Sequence, residues 1–516
     1  MIGNAVFRHY FTGDTTLSAL ESLTDHVRQT AMLDSVQSLL YWDERTYLPA
    51  LGGDFRADQI TTLSSMLHQR RTDPRVGEWL SELSDDAQVA DPHSDFGTLL
   101  RQVRREYEKQ TKLPQRLVEE VARYSVTGQQ AWVEARKSDD FSKLAPFLEK
   151  LLSLKREQAD ALGYPETRYD ALLDEYEPNA RTRTVRETLE RLRQDLVPLV
   201  QTIQDANRSA PIDHLKGHFP TAAQSKFGRS TATSIGFDFQ RGRLDVTEHP
   251  FCTELGPNDC RILTNYDESF FPSALFSTLH EAGHGMYEQG LRTDQYGLPA
   301  GQYVSLGIHE SQSRLWENQV GRSHAFWEHF YPTAQQAFKS AFGNLSIDDF
   351  YFAINDVRPS LIRIEADEAT YNLHIIIRFE IEQELINDEL QVADLPGAWA
   401  SKYQEYLGIT PPNDADGVLQ DIHWSGGDFG YFPTYSLGNL YAAQFFEAAD
   451  DALAGVDSLM RRGEFQPLLE WLRENVHVHG QCYSPDELIE RATHKPLSHE
   501  PLMRHLRAKL EPLYLQ

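Results

Sequence analysis

Ser273-Ala-Leu-Phe-Ser-Thr-Leu-His-Glu-Ala-Gly-His-Gly-Met-Tyr287 holds two histidines, His280 and His284, with Glu281 directly after the first. On an α-helix, positions i and i+4 lie about 40° apart around the axis and roughly 6 Å apart. Both imidazoles can therefore reach one cation, which is half of a tetrahedral zinc site. Glu281 is rotated away from the ligand pair and is free to act as general base on a water that the metal polarises. Leu275, Phe276, Leu279, Gly283 and Met286 supply the apolar and small positions that a buried helix needs around such ligands. The pattern predicts hydrolysis by a metal centre on a buried helix.

A hydrolytic zinc site has three protein ligands and keeps one position open. Downstream, Ser305-Leu-Gly-Ile-His-Glu-Ser-Gln-Ser-Arg-Leu-Trp-Glu317 reads as a second helix, with Glu310 beside His309, Ser311 and Arg314. Spacing alone leaves Glu310 open between a third ligand and an i+4 ion pair with Arg314.

Apolar spacing is helical along most of the chain. Val185, Leu189, Leu192, Leu196 and Val200 recur at steps of three or four, and similar stripes run from Leu144 to Leu154 and from Leu361 to Leu385. Segments with strand character are few, and the best candidates are Gly242–Thr247 and Cys260–Tyr266, just before the histidine helix. The expected fold is mainly α, with a small β-sheet near the zinc helix. Asp85 to Asp95 reads as a polar loop.

The 516-residue chain can bury a large core, and no linker divides it, so one catalytic domain over 1–516 is expected. Its formal net charge of -28 repels phosphate backbones and anionic membranes, which argues against nucleic acid and membrane as partners. Cys252, Cys260 and Cys482 are too few and too scattered for a disulfide framework. The first thirty residues lack an apolar signal core, and no run approaches the ~18 apolar residues of a membrane span. The cytoplasm is the expected compartment.

His280-Glu-Ala-Gly-His284 followed by His309-Glu-Ser-Gln-Ser-Arg314 resembles the carboxypeptidase Taq family, also called thermostable carboxypeptidase 1, of zinc metallocarboxypeptidases. Further motifs of that family follow the resemblance through the chain: His249-Pro-Phe251, Ile362-Arg-Ile-Glu-Ala-Asp-Glu368, Gly417-Val-Leu-Gln-Asp-Ile-His-Trp424 and Gly430-Tyr-Phe-Pro-Thr-Tyr-Ser-Leu-Gly438. Towards the N-terminus stand Trp42-Asp-Glu-Arg-Thr-Tyr-Leu-Pro49 with Arg56-Ala57, and Leu173-Asp-Glu-Tyr-Glu-Pro178. Two positions depart from the pattern. Asp259-Cys-Arg-Ile-Leu263 has Leu263 at a family threonine, with Thr264 next, and Ala492-Thr-His494 has histidine where a glycine is expected.

The resemblance implies that Glu310 is the third metal ligand, beside His280 and His284. It also implies a large helical metallopeptidase fold with a deep active-site groove, narrowed by N-terminal helices over roughly 1–110, and a homodimer. The substrates would be peptides with a free C-terminus, and the cofactor Zn2+, with Co2+ or Mn2+ possible in its place. A terminal carboxylate calls for a guanidinium fork, for which Arg363 leads and Arg261 follows. Tyr435, Tyr431 and His423 are candidate donors to the tetrahedral oxyanion, and His249 is a further substrate-binding candidate. Two other functions stay open: a zinc oligopeptidase cutting internal bonds, and a non-catalytic peptide-binding scaffold.

Overall fold

The stripe Val185, Leu189, Leu192, Leu196, Val200 lies on the helix Thr182–Gln204, and all five side chains are buried. Their spacing puts them on one face, and packing that face against the rest of the protein removes it from water. The computed structural model describes residues 17–85 and 91–515. Most of it is helical, and its main apolar core runs continuously from Ala135 to Tyr514. A separate small core, made of Ala19, Leu23, Val76, Leu80, Leu83 and Leu100, holds the N-terminal helices Ala19–Glu44, Pro74–Glu82 and Asp95–Lys112 together.

The two strand segments pair as expected. β1 (Gly242–Val246) runs parallel to β3 (Cys260–Thr264), and β2 (Cys252–Glu254) joins the other edge of β3 antiparallel, giving the order β1-β3-β2. The sheet backs the helix Phe271–Gly290, here called the motif helix because it carries His280, Glu281 and His284. Leu263 is fully buried, and the hydroxyl of Thr264 donates instead to the carbonyl of Ala274 on the motif helix at 3.2 Å.

One sequence expectation is adjusted, one lies partly outside the described residues, and one departure from the family pattern is accounted for. The stripe from Leu361 becomes an α-helix only at Thr370–Ile386, because the Asp367 carboxylate accepts the N–H groups of Ala369 and Thr370 at 2.9 and 3.0 Å and caps it there. Residues 86–90 of the polar loop lie outside the described residues, and the helix after it begins at Asp95 behind the cap Ser94. His494 has φ +58° at the end of the helix Pro485–Thr493. That left-handed position is where glycine is ordinarily placed, which accounts for the glycine expected from the resemblance.

A buried carboxylate ties distant segments of this fold together. Glu382, fully buried, accepts hydrogen bonds from the Trp424 indole at 2.7 Å, the Gly430 N–H at 3.0 Å and the Tyr169 hydroxyl at 2.5 Å. Burial pushes its carboxyl up to about 7, although these donors pull the other way. The folded protein then holds a proton that the unfolded chain has released, so stability falls as pH rises from about 4.5 to about 7. A shift of that size is on the order of 3 kcal/mol. Chemical denaturation of Glu382→Gln at pH 5 and pH 7.5 should show a smaller loss of stability with pH than the parent protein. An unchanged difference would show that Glu382 does not titrate there.

Candidate metal and peptide site

His280 and His284 turn the same edge of the motif helix towards Glu310. Glu310 Oε2 lies 3.6 Å from His280 Nε2 and 3.4 Å from His284 Nε2, and the three donor atoms all fall within 4.8 Å of one another. Glu310 sits on the helix Leu306–Arg314, capped by the Ser305 hydroxyl, which accepts the Ile308 N–H at 3.0 Å. The two helices meet closely at Gly283, where a Cβ would stand 2.5 Å from the Gln312 carbonyl oxygen. Any larger residue between the two histidines at that position would force the helices apart.

Behind these side chains stand Arg314 and His309 of the same motif, together with Glu317 and Glu288, to which motif reading gave no role. His280 Nδ1 bonds Glu317 at 2.9 Å, which directs Nε2 towards Glu310. Arg314 donates to Glu310 at 2.6 Å and to Glu317 at 3.3 Å, bridging the two carboxylates. Glu317 lies in a π-helical turn, Leu315–Val320, that continues the Glu310 helix and turns the Glu317 carboxylate onto His280. The i+3 spacing from Arg314 to Glu317 was the available signal. His309 stacks on His284 with ring centroids 4.4 Å apart, and its Nε2 meets Glu288 at 2.8 Å.

The charges suit a divalent cation. Burial, helped by neighbouring His309, lowers His284 to about 3, so its ring is neutral and a nitrogen lone pair is available. Burial opposes a charge on Glu310, but Arg314 and His280 outweigh it and hold the carboxyl well below its usual range. Glu281 is 6 % exposed, burial pushes it up to about 7, and its Oε2 has no hydrogen-bond partner among the described residues. Two imidazole nitrogens and one carboxylate oxygen form a donor set that fits a divalent cation, and the unpaired Glu281 carboxylate stands beside it.

His280, Glu281, His284 and Glu310 line a cavity of about 840 Å³. The helix Ala19–Glu44 supplies another wall through Ala31, Asp34, Ser35 and Ser38. Tyr431 and Tyr435 also line it, with their hydroxyls 3.0 Å apart. Burial raises both phenols, so each keeps its proton at neutral pH.

Arg363, Arg261, His249 and His423 are not among the lining residues. Arg363 is buried, with Nε and Nη2 on Asp421 at 3.0 and 2.7 Å and Nη1 on the Tyr371 hydroxyl at 3.0 Å; its guanidinium lies 5.4 Å from the Tyr435 ring centre. Arg378 holds the other oxygen of Asp421 at 2.7 Å. His423 stacks on Tyr431, with centroids 5.2 Å apart, and burial lowers it to about 4. Arg261 is paired with Asp259 at 2.9 Å and lies 4.1 Å over the Trp42 ring, while His249 is exposed.

Residues 22–510 match the family model for the carboxypeptidase Taq (M32) metallopeptidases. The chain is 45% identical over 510 residues to thermostable carboxypeptidase 1 of Thermus thermophilus, covering 97% of this chain and 100% of that one. It is 39% identical to carboxypeptidase 1 of Bacillus subtilis, over 95% of this chain and 98% of the relative. Its fold superposes on the crystal structure of the M32 carboxypeptidase from Deinococcus radiodurans R1 with a TM-score of 0.93 at 39% identity, covering 96% and 100% of the two chains. With a site able to hold a cation in a helical cleft and near full-length likeness to these proteins, the chain belongs to the carboxypeptidase Taq (M32) family and is a metallocarboxypeptidase.

Proposed function

We propose that this chain removes residues one at a time from the free C-termini of peptides, with Zn2+ held by His280, His284 and Glu310 and with Glu281 as general base. Co2+ and Mn2+ suit the same imidazole and carboxylate donors. A bound cation supplies Lewis acidity, which lowers the pKa of water and polarises the scissile carbonyl. Glu281 takes the proton of the attacking water and returns it to the leaving amine. The observation that carries this reading is the buried Oε2 of Glu281, without a hydrogen-bond partner among the described residues, beside the three clustered donors in the cavity wall.

Tyr431 and Tyr435 keep their protons and present hydroxyls to the cavity, so either can donate to the oxyanion. Arg363 and Arg378 share Asp421, which leaves one positive charge in surplus behind Tyr435. We assign that surplus to attraction of the terminal carboxylate, with His423 at its edge and Arg261 and His249 contacting substrate farther out. The exposed Met32, Val36 and Leu39 form a stripe on the helix Ala19–Glu44 that suits a homodimer contact. No helix among the described residues is long and apolar enough to cross a membrane. Our reading also keeps the chain as a single catalytic domain working in the cytoplasm.

The test is mass spectrometry of paired peptides with free and amidated C-termini, incubated with metal-loaded enzyme. Free ends should be trimmed stepwise, and amidated peptides cut roughly thirtyfold more slowly or worse, the equivalent of about 2 kcal/mol for a lost charge partner. Internal cuts, or equal rates on both sets, would move the assignment to an oligopeptidase.

A further inference from the structure

In Leu173-Asp-Glu-Tyr-Glu-Pro178, Glu175, Tyr176 and Pro178 line the cavity, while Glu177 between them turns away into the fold and is 1 % exposed. Glu177 Oε1 accepts hydrogen bonds from the Ser305 hydroxyl at 3.0 Å and the Tyr441 hydroxyl at 3.1 Å, and Oε2 accepts the Gly307 N–H at 3.0 Å. The preceding carbonyl, of Tyr176, accepts the Leu306 N–H at 3.2 Å.

A helix begins with four N–H groups that have no partner inside it. In the helix Leu306–Arg314 the first intrahelical bond runs from the His309 N–H to the Ser305 carbonyl at 2.9 Å, and of the groups before it the Ser305 hydroxyl takes the Ile308 N–H. The N–H groups of Leu306 and Gly307 are met by Tyr176 and Glu177 from a segment more than a hundred residues earlier. The fit leaves no room for a side chain at Gly307, where a Cβ would stand 2.7 Å from Glu177 Oε2.

The location gives this cap a role beyond closing a helix. Glu310 is the fifth residue of a nine-residue helix, one turn beyond the Gly307 anchor. The Tyr441 hydroxyl comes from the helix Pro433–Ala452, which also carries Tyr435 in the cavity wall. One carboxylate thus joins the helix of the proposed third ligand to the helix of a proposed oxyanion donor. A metal ligand works only within about 0.2 Å of its required distance. Carboxylates are also costly to bury, and a neutral Asn or Ser could cap a helix without that cost.

We propose that Glu177 is a positioning residue of the metal centre, fixing Glu310 relative to the Tyr435 helix through its bonds to Ser305, Gly307 and Tyr441. The proposal rests on the reading of Glu310 as a ligand. Glu177→Gln keeps the size of the side chain but turns one acceptor into a donor facing another donor. Tyr441→Phe removes a single hydroxyl.

The experiment titrates Co2+ into full-length metal-free protein against a chelator, records the visible spectrum of the Co2+ form, and measures thermal unfolding without metal. Glu177→Gln should weaken Co2+ binding by roughly 10-fold, the low end of the range for groups bonded directly to metal ligands, because Glu177 reaches Glu310 only through its helix. It should also alter the Co2+ bands and lower kcat more than it raises KM. Tyr441→Phe should move affinity and bands the same way by less, and it carries the test alone if Glu177→Gln does not fold. Unchanged affinity and bands in the folded variants, with only a lower unfolding temperature, would reduce Glu177 to a structural cap. Glu310→Gln in parallel separates the two ideas. If Glu310→Gln leaves affinity and bands intact, the ligand assignment falls; if it removes binding and Glu177→Gln does not weaken it, only the positioning role falls.

Discussion

Glu281→Gln is expected to lower kcat by on the order of 10² to 10⁴, the contribution of a positioned general base, while the protein still binds its metal. The amide matches the carboxylate in shape, so the buried pocket around residue 281 stays filled. It cannot take a proton from water at neutral pH. Because Glu281 Oε2 has no partner among the described residues, the exchange breaks no hydrogen bond that holds the motif helix. Metal content per chain and the unfolding temperature should therefore stay close to those of the parent. A variant that kept kcat within tenfold of the parent, at equal metal occupancy, would remove Glu281 from the reaction and return the search for a base to the cavity wall.

Glu310→Gln tests the other half of the site, and its largest expected effect is on binding. Changing an outer partner of a metal ligand costs 10- to 100-fold in affinity, so loss of a direct anionic ligand should exceed about 100-fold. The amide oxygen can still accept from Arg314, and Glu317 remains beside that guanidinium, so Arg314 is not left buried without a partner. Removing a partner outright would cost about 3 to 5 kcal/mol, and retaining these contacts should keep the metal-free variant folded. Activity should return in part when metal is raised well above the parent's requirement. Equal affinity in parent and variant, measured by chelator competition, would show that the third ligand is another group.

Features that depend on local spacing could be read from the chain. The pairing of His280 with His284 follows from helix geometry, and both lie on the helix Phe271–Gly290. The strands at Gly242 and Cys260 follow from alternation, and the buried face of Thr182–Gln204 from its apolar period. The short edge strand Cys252–Glu254 was missed, because three residues are too few to show a period. Glu310 was ambiguous on spacing alone, since Arg314 one turn later explains its charge equally well. In the structure it contacts Arg314 through Oε1 and faces the histidines through Oε2, a placement compatible with both readings.

What the sequence by itself determined was the reaction class and the helical scaffold, because both are written in residues a few positions apart on single elements. The tertiary structure decided which groups surround the site. Glu317 on His280, His309 on His284, Asp421 between Arg363 and Arg378, and Glu177 under the Glu310 helix are contacts between segments that meet only after packing. A charged side chain carries no mark of its eventual partner, and one turn of π-helix is enough to change which carboxylate faces which histidine. The physical reason is range: periodicity and capping act over a turn or two of chain, whereas the field and hydrogen bonds around a buried ion are assembled from the whole fold.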